Sequence, residues 1–131
     1  MAYEGPQPVK LTGITANGDL SAHQYKFVKL DADNRVILPT AATDIPIGVL
    51  QNKPDATGKA CEICCIGVTK VSSDGALTAG WLIGTSADGQ ADRKIPGTDT
   101  TEFIAGQVLE GTTAAGGTAT AAGAAPARRS P

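Results

Sequence analysis

Three cysteines, Cys61, Cys64 and Cys65, are the residues whose types and spacing first suggest chemistry. A Cys-x-x-Cys pair binds a metal or cycles with a disulfide when a turn or helix start brings both sulfurs to one side. The flanking sequence from Ala60 to Val68 instead favours a continuous strand, in which residues 61 and 64 face opposite sides. Residues 61 and 65 share a side but lie roughly 13 Å apart, too far for one disulfide or one metal. We expect small buried hydrophobic side chains here, with a redox or zinc site as the alternative.

Other chemistry has little support in the sequence. His23 is the only histidine, and its neighbours Ser21, Gln24 and Tyr25 form no recognisable triad or metal motif. The glycines that begin at Gly111 are not followed by the Gly-Lys-Ser/Thr ending of a phosphate loop. The sequence therefore predicts a protein that is not an enzyme, with no catalytic residue, no cofactor and no metal.

Trp81 is the only tryptophan of the chain. A lone tryptophan is usually largely buried, which favours a core position at the end of a shallow barrel. Tryptophan is also enriched at protein interfaces, where it acts as an anchor. Both interpretations remain open from the sequence.

The composition narrows the class of protein that must position these residues. The formal net charge is −2, and the 11 basic and 13 acidic residues are scattered, which argues against a nucleic-acid-binding surface. No apolar run approaches the roughly 18 residues that span a bilayer, and the first residues lack the pattern of a secretory signal. Aromatic residues make up only 4% of the chain, so we expect a shallow aliphatic core of small stability margin. A partner could supply part of that margin.

Turn signals separate short runs of β-forming residues along the chain. Asn17-Gly18 closes the first strand, and Asp74-Gly75 and Asp88-Gly89 are turns of the hairpin type. Strand alternation places Tyr25 with Phe27 on one face. In the run Ile45–Gln51, the residues Ile45, Ile47 and Val49 are expected to share a face. The predicted strands are Val9–Ile14, Gln24–Asp31, Val36–Pro39, Ile45–Gln51, Lys59–Val71, Trp81–Thr85 and Glu102–Glu110. We predict an all-β fold, a small β-barrel or β-sandwich with extended N- and C-terminal arms.

The two ends of the chain differ from this β domain of residues 9–110. Residues 1–8 contain Pro6 and Pro8 and favour an extended arm. Residues 111–131 are rich in Ala, Gly and Thr and hold no large apolar side chain, which favours a solvated tail. The alternative is an arm that becomes ordered only against a neighbour, with Arg128 and Arg129 making charge-assisted contacts. The candidate interface residues are Tyr3, Pro6, Pro8, Trp81, Arg128 and Arg129.

A set of short segments in a fixed order resembles the capsid cement, or head-decoration, proteins of tailed bacteriophages. The segments are Gly18–Leu30, Ile47–Pro54 with Gly58, Gly67–Val71, Gly80 and Ser86–Ala91. The resemblance spans Gly18 to Ala91. The chain departs from it at Trp81, where the family tends to carry a polar or acidic residue, and in its C-terminal tail, where the family usually ends in an apolar strand.

The resemblance implies a β-barrel or sandwich on the outside of an icosahedral phage head. It implies binding to the major capsid protein and to further copies of the chain as a dimer or trimer, with no nucleic acid and no membrane as partner. The location would be the virion exterior, and the host cytoplasm during assembly.

A carbohydrate-binding β module is the runner-up interpretation. It would use Trp81, Tyr25 and Tyr3 as stacking surfaces for sugar rings. Such modules usually place several aromatic residues on one face, whereas the aromatic residues here are scattered.

Overall fold

The computed structural model describes residues 9–113 and 116–129, with side chains described for residues 12–113 and 116–122. Every regular element in this part of the chain is a β-strand. The strands are β1 Val9–Thr15, β2 Phe27–Leu30, β3 Val36–Ile37, β4 Gly48–Leu50, β5 Ala60–Ser72, β6 Leu82–Thr85, β7 Ala91–Arg93, β8 Phe103–Glu110 and β9 Thr118–Arg129. The described residues include no helix long and apolar enough to cross a membrane. The predicted all-β class is confirmed.

The long strand β5 is shared by the two halves of the sheet. Its 13 residues are mostly Ile, Val, Cys and Thr, which fit a pleated and half-buried surface. Ala60 to Ile66 pair with β1, and Cys64 and Ile63 also pair with β4. Gly67 to Ser72 pair with β9. One strand therefore carries two sets of neighbours along its length.

The first half of β5 belongs to a ring of strands that we call the first ring. The ring runs from β1 through β5, β4 and β2 to β3, and a bridge between Ala16 and Val36 returns it to the end of β1. Its interior, the first core, is filled by buried side chains: Ala16, Leu20, Val28, Val36, Leu50, Cys61 and Ile63. All are aliphatic or thiol side chains of small to medium size.

The second half of β5 belongs to a second ring, which runs through β9, β8 and β6 to β7. A bridge between Ser73 and Ala91 returns it to the end of β5. The buried side chains of this second core are Phe27, Val49, Val71, Leu77, Ile83, Ala91, Val108, Ala119 and Ala121. Two of them, Phe27 and Val49, come from strands of the first ring, because alternate residues of a strand face opposite sides.

Backbone hydrogen bonds join the two rings where β2 begins. The Phe27 amide donates to Gly89 O at 2.7 Å, and the Ser72 amide donates to Tyr25 O at 2.7 Å. Gly89 has φ +88°, and a Cβ there would lie 2.7 Å from Phe27 O. Glycine at residue 89 therefore serves both the left-handed turn and the close approach of the two backbones. We call this contact the seam.

Each predicted strand corresponds to an observed one, with shorter bounds for the second, third and fourth. The prediction that Ile45, Ile47 and Val49 share a face is wrong. Ile45 is 54% exposed, Ile47 packs against the first core, and Val49 is buried in the second core. Regular pairing starts only at Gly48, so the alternation that the sequence suggested is absent before it.

The two predicted hairpin turns have different outcomes. Asp88-Gly89 joins the paired strands β6 and β7, as expected. Asp74-Gly75 follows β5 but does not form a hairpin, because the strand that follows, β6, pairs with β7 and β8. Strand β7, with only three residues, was not predicted.

The interpretation of residues 111–131 as a tail outside the β domain is wrong for Thr118–Arg129. This segment is β9, which pairs with β5 on one side and β8 on the other. Paired backbone groups on both edges, together with Ala119 and Ala121 in the second core, make large apolar side chains unnecessary. Between the pairs Gly106–Gly123 and Ile104–Arg128, four residues of β9 oppose one of β8. Pro126 lies in this bulge, where its missing N–H removes no ladder bond.

Candidate interaction surface

Trp81 lies immediately before β6 and packs against the second core while remaining partly exposed. Its backbone is fixed on both sides: the Trp81 amide donates to Thr78 O at 3.1 Å, and the Val108 amide donates to Trp81 O at 2.9 Å. The two interpretations of this residue are thus not exclusive. Part of the indole contributes to the core, and part of it reaches the surface.

Arg93 stacks on the indole ring of Trp81. Its guanidinium carbon lies 4.1 Å from the ring centroid. Strand pairing explains the arrangement, because Arg93 is paired with Ile83, two residues after Trp81. A cation over an aromatic face at an exposed site stabilises by about 0.5–1 kcal/mol. The pair places a tryptophan and an arginine, two residue types that dominate binding hot spots, side by side at the surface.

A buried ion pair follows Arg93 directly in the chain. The side chain of Lys94 is 1% exposed, and its Nζ lies 2.7 Å from Glu102 Oε1 and 3.5 Å from Asp92 Oδ2. The lysine stem passes Gly84, where a Cβ would lie 3.0 Å from Lys94 Cε. Sequence reasoning missed this residue, since the run Asp92-Arg93-Lys94 has the pattern of a solvated charged segment. Only the pairing of β6 with β7 and β8 shows that the lysine is enclosed.

The other predicted interface residues lie outside the part of the chain whose side chains the structure describes. Tyr3, Pro6 and Pro8 lie outside the described residues. The backbones of Arg128 and Arg129 pair with Ile104 and Phe103 at the end of β9. The two arginines therefore belong to β9, where it pairs with the beginning of β8. No described contact brings them together with Trp81.

The three cysteines follow strand alternation as predicted. Cys61 belongs to the first core and Cys65 packs against it, whereas Cys64 is buried on the opposite side of β5. None of the three forms a disulfide, and burial raises the pKa of the Cys61 thiol. The described residues contain no group of three or more His, Cys, Asp or Glu side chains that could hold a metal ion.

His23 lies near the seam beside a cation. Lys26 Nζ is 3.1 Å from His23 Nδ1, and the histidine pKa is lowered by burial and by the charge of Lys26. Asp19 and Asp88 partly oppose this shift. A general base needs a group that orients it toward a substrate, and here the hydrogen-bonding neighbour of the ring is an ammonium group.

The carboxylates of Asp74, Asp88 and Asp92 lie close enough for the charges of two of them to affect the pKa of the third. The pKa of Asp74 is raised by burial and by the negative charges of Asp88 and Asp92. The pKa of Asp88 is lowered, chiefly because its carboxylate accepts a hydrogen bond from Ser86 Oγ. The positive charge of Lys94 acts in the opposite direction and lowers the pKa of Asp74, as the smallest of these effects.

Two of the three rings proposed for sugar stacking, those of Tyr25 and Trp81, already have protein partners, and Tyr3 lies outside the described residues. Tyr25 packs against the second core, and Lys70 Nζ lies 5.6 Å from its ring centroid. A sugar on the exposed part of Trp81 would have to displace Arg93 from the indole face. No described feature favours the carbohydrate-binding interpretation.

Comparisons with known proteins give a fold match and no family assignment. No protein-family model matches the chain, and no curated protein matches it. Among solved structures, the chain is similar to the N base of head fiber gp8.5 in bacteriophage phi29, with a TM-score of 0.66. The match covers 90% of this chain and 95% of that one, at 17% identity. The two chains share an all-β fold.

Proposed function

We propose that this protein is a structural component of a bacteriophage head, and more narrowly a decoration or cement protein. In this role it binds the outer surface of the icosahedral shell and stabilises contacts between major capsid protein subunits, without catalysis. The observation that carries the proposal is the fold shared with a phage head fiber base over 90% of the chain. The sequence resemblance to head-decoration proteins, which rests on Gly18 to Ala91, points to the same location.

The physical character of the chain fits a protein that works by binding at many equivalent sites. Both cores are small, and the second contains three alanines among its buried residues. A domain with so little buried apolar area has a narrow stability margin, to which a bound partner adds. Repeated binding at symmetry-related positions multiplies modest single-site affinities when copies are linked as a dimer or trimer.

Binding to heads that lack the protein tests the proposal. Heads assembled without this chain, from the phage whose genome encodes it, are mixed with the purified protein at micromolar concentration. We expect saturable binding and a higher temperature of head disruption. An absence of binding would reject the head-protein proposal.

The same fold match favours a second candidate, the base of a fiber mounted on the head. The two functions differ in copy number and in effect on the shell. A cement protein saturates symmetry-related positions across the shell and raises the disruption temperature, whereas a fiber base can bind without strengthening the shell. Saturable binding with an unchanged disruption temperature would favour the fiber base.

Deletion of residues 1–8 tests the predicted N-terminal arm. We expect weaker head binding with little change in melting temperature, and equal loss of both would contradict a docking arm. The matching deletion of residues 111–131 is not a test of docking. It removes β9, which pairs with both β5 and β8, and so is expected to unfold the second ring.

A further inference from the structure

We propose that the Trp81–Arg93 pair is the anchor through which this protein holds a carboxylate on the surface of its partner. The inference rests on the proposed function and adds to it the chemistry of one contact. The partner group is an Asp or Glu side chain exposed on the assembled head.

The charge of Arg93 is not neutralised within the described part of the chain. Asp92, the residue before Arg93, is paired with Lys94, and so is Glu102. None of the ion pairs among the described residues involves Arg93, which is exposed. The lysine satisfies the local carboxylates and leaves the arginine available to an external anion.

The guanidinium of Arg93 is also held in place before a partner arrives. The contact with the indole, at 4.1 Å from the guanidinium carbon to the Trp81 ring centroid, restricts the freedom of the side chain. The N–H donors of a guanidinium lie along its edges, so stacking leaves them able to bind a carboxylate with two parallel hydrogen bonds. An arginine that is already ordered loses less side-chain entropy on binding.

An exposed apolar side chain lies close to the pair in the chain. Ile95, 41% exposed, lies two residues after Arg93. Apolar side chains near a charged anchor exclude water and strengthen the charged contact. A carboxylate beside apolar surface is the partner chemistry that fits this arrangement.

The experiment compares Arg93→Met with Arg35→Met in binding to heads assembled without the protein. Methionine keeps an unbranched apolar side chain over the indole but removes the charge and the N–H donors. We expect Kd to rise about tenfold or more for Arg93→Met, because loss of one partner from a desolvated charge pair is costly. Arg35 is an exposed arginine at the β3 end of the first ring, and its substitution is expected to leave Kd unchanged.

Two further measurements keep the test decisive. Arg93→Lys retains the charge without the planar fork and should bind with intermediate Kd, even if Arg93→Met proves to fold poorly by its melting temperature. Amidation of head carboxylates with a carbodiimide and glycinamide should reduce wild-type affinity to the Arg93→Met level and leave that variant unaffected. Intact heads are verified by electron microscopy.

The other outcomes separate failure of the anchor from failure of the proposed function. If wild type binds but Arg93→Met and Arg93→Lys match it, the anchor is overturned and the proposed function stands. If amidation leaves wild-type binding unchanged while nuclease treatment abolishes it, the ligand is nucleic acid and the carboxylate assignment is wrong. If wild type does not bind heads at all, both proposals fail.

Discussion

The two rings are closed in the same way but filled differently. The first core is built from Leu, Val, Ile and Cys side chains supplied by its own strands and the adjoining segments. The second core has β9 as a central strand, and among the described side chains of β9 it contains only Ala119 and Ala121. It is completed by Phe27 and Val49 from the first ring and by Leu77 from a loop. A strand of small residues therefore makes one half of the molecule depend on the other.

Close backbone approaches at glycine occur in both halves. A Cβ at Gly48 in the first ring would clash with Cys64 O, as a Cβ at Gly84 or Gly111 in the second ring would clash with Phe103 O or Leu77 O. Small side chains let strands and loops come together, and glycine is then required at the contact points. The second ring also holds the buried Lys94 and the Trp81–Arg93 pair, so the specialised features lie in the half with the leaner core.

Phe27→Ala should have the largest effect, because the residue links the two halves. We expect the free energy of unfolding to fall by about 3–5 kcal/mol, typical of a buried Phe→Ala change. Trp81 fluorescence reports on the second core, and Cys61 thiol reactivity reports on the first. The urea midpoints measured by the two probes should fall together. A fall in only one of the two midpoints would show that the halves unfold separately.

Gly84→Ala should be the next most damaging change. The added methyl group collides with a backbone oxygen that cannot move without disturbing the β6–β8 contact, which we expect to cost about 3 kcal/mol. Gly75→Ala is the matched control, since a methyl group there would meet no atom within 4 Å and its φ is not in the left-handed range. Urea unfolding curves compare the two, and equal stabilities would contradict the close approach.

Lys94→Met should cost more than Lys29→Met, because the two ion pairs differ in burial. The Lys94 side chain is 1% exposed, whereas Lys29 and its partner Asp44 are 22% and 21% exposed. Removal of Lys94 leaves Glu102 without its closest partner and should cost about 2–3 kcal/mol. Loss of the more exposed pair should cost about 1 kcal/mol or less. Thermal or urea unfolding of the two variants provides the comparison. A larger loss of stability for Lys29→Met than for Lys94→Met would show that the ion pair of the first ring is the more stabilising one.

The smallest expected effect is a pH dependence at the seam. The folded-state pKa of His23 lies below its ordinary value of 6.5, so the folded state favours the neutral ring. This contribution to stability is fully present above pH 6.5 and is lost as pH falls through the lowered folded pKa. Between about pH 7.5 and 5, the melting temperature of wild type should decrease more than that of His23→Gln. Parallel decreases would show that His23 does not link pH to stability.

Local patterns predicted much of the fold but not the second ring. Runs rich in Val, Ile and Cys with turn residues on either side identified β1, β5 and β8, since each carries its own signal in side-chain type and spacing. Alternation along β5 also predicted that Cys61 and Cys64 face opposite sides. Strand β9 could not be found in this way. Its place depends on backbone pairing with two distant strands, and Ala, Gly and Thr carry no signal for that pairing.

The candidate site was predicted only in part. Trp81 was singled out because its type is unusual in this sequence, and the structure places it against the second core with part of the side chain exposed, while its interface role stays a prediction. Arg93 and Lys94 were missed because adjacent charged residues usually face solvent. Their opposite environments follow from alternation at the end of β7, a strand too short to recognise from three residues.

The sequence by itself determined the all-β class and the opposite faces of Cys61 and Cys64. Each depends on residue type and on period-2 spacing, which are local properties of the chain. The tertiary structure alone decided that β9 is an interior strand and that Lys94 is buried. It also decided that Arg93 stacks on Trp81. The physical reason is that each of these depends on pairing between segments far apart in sequence, where the neighbours across the sheet, and not the residue itself, set the environment.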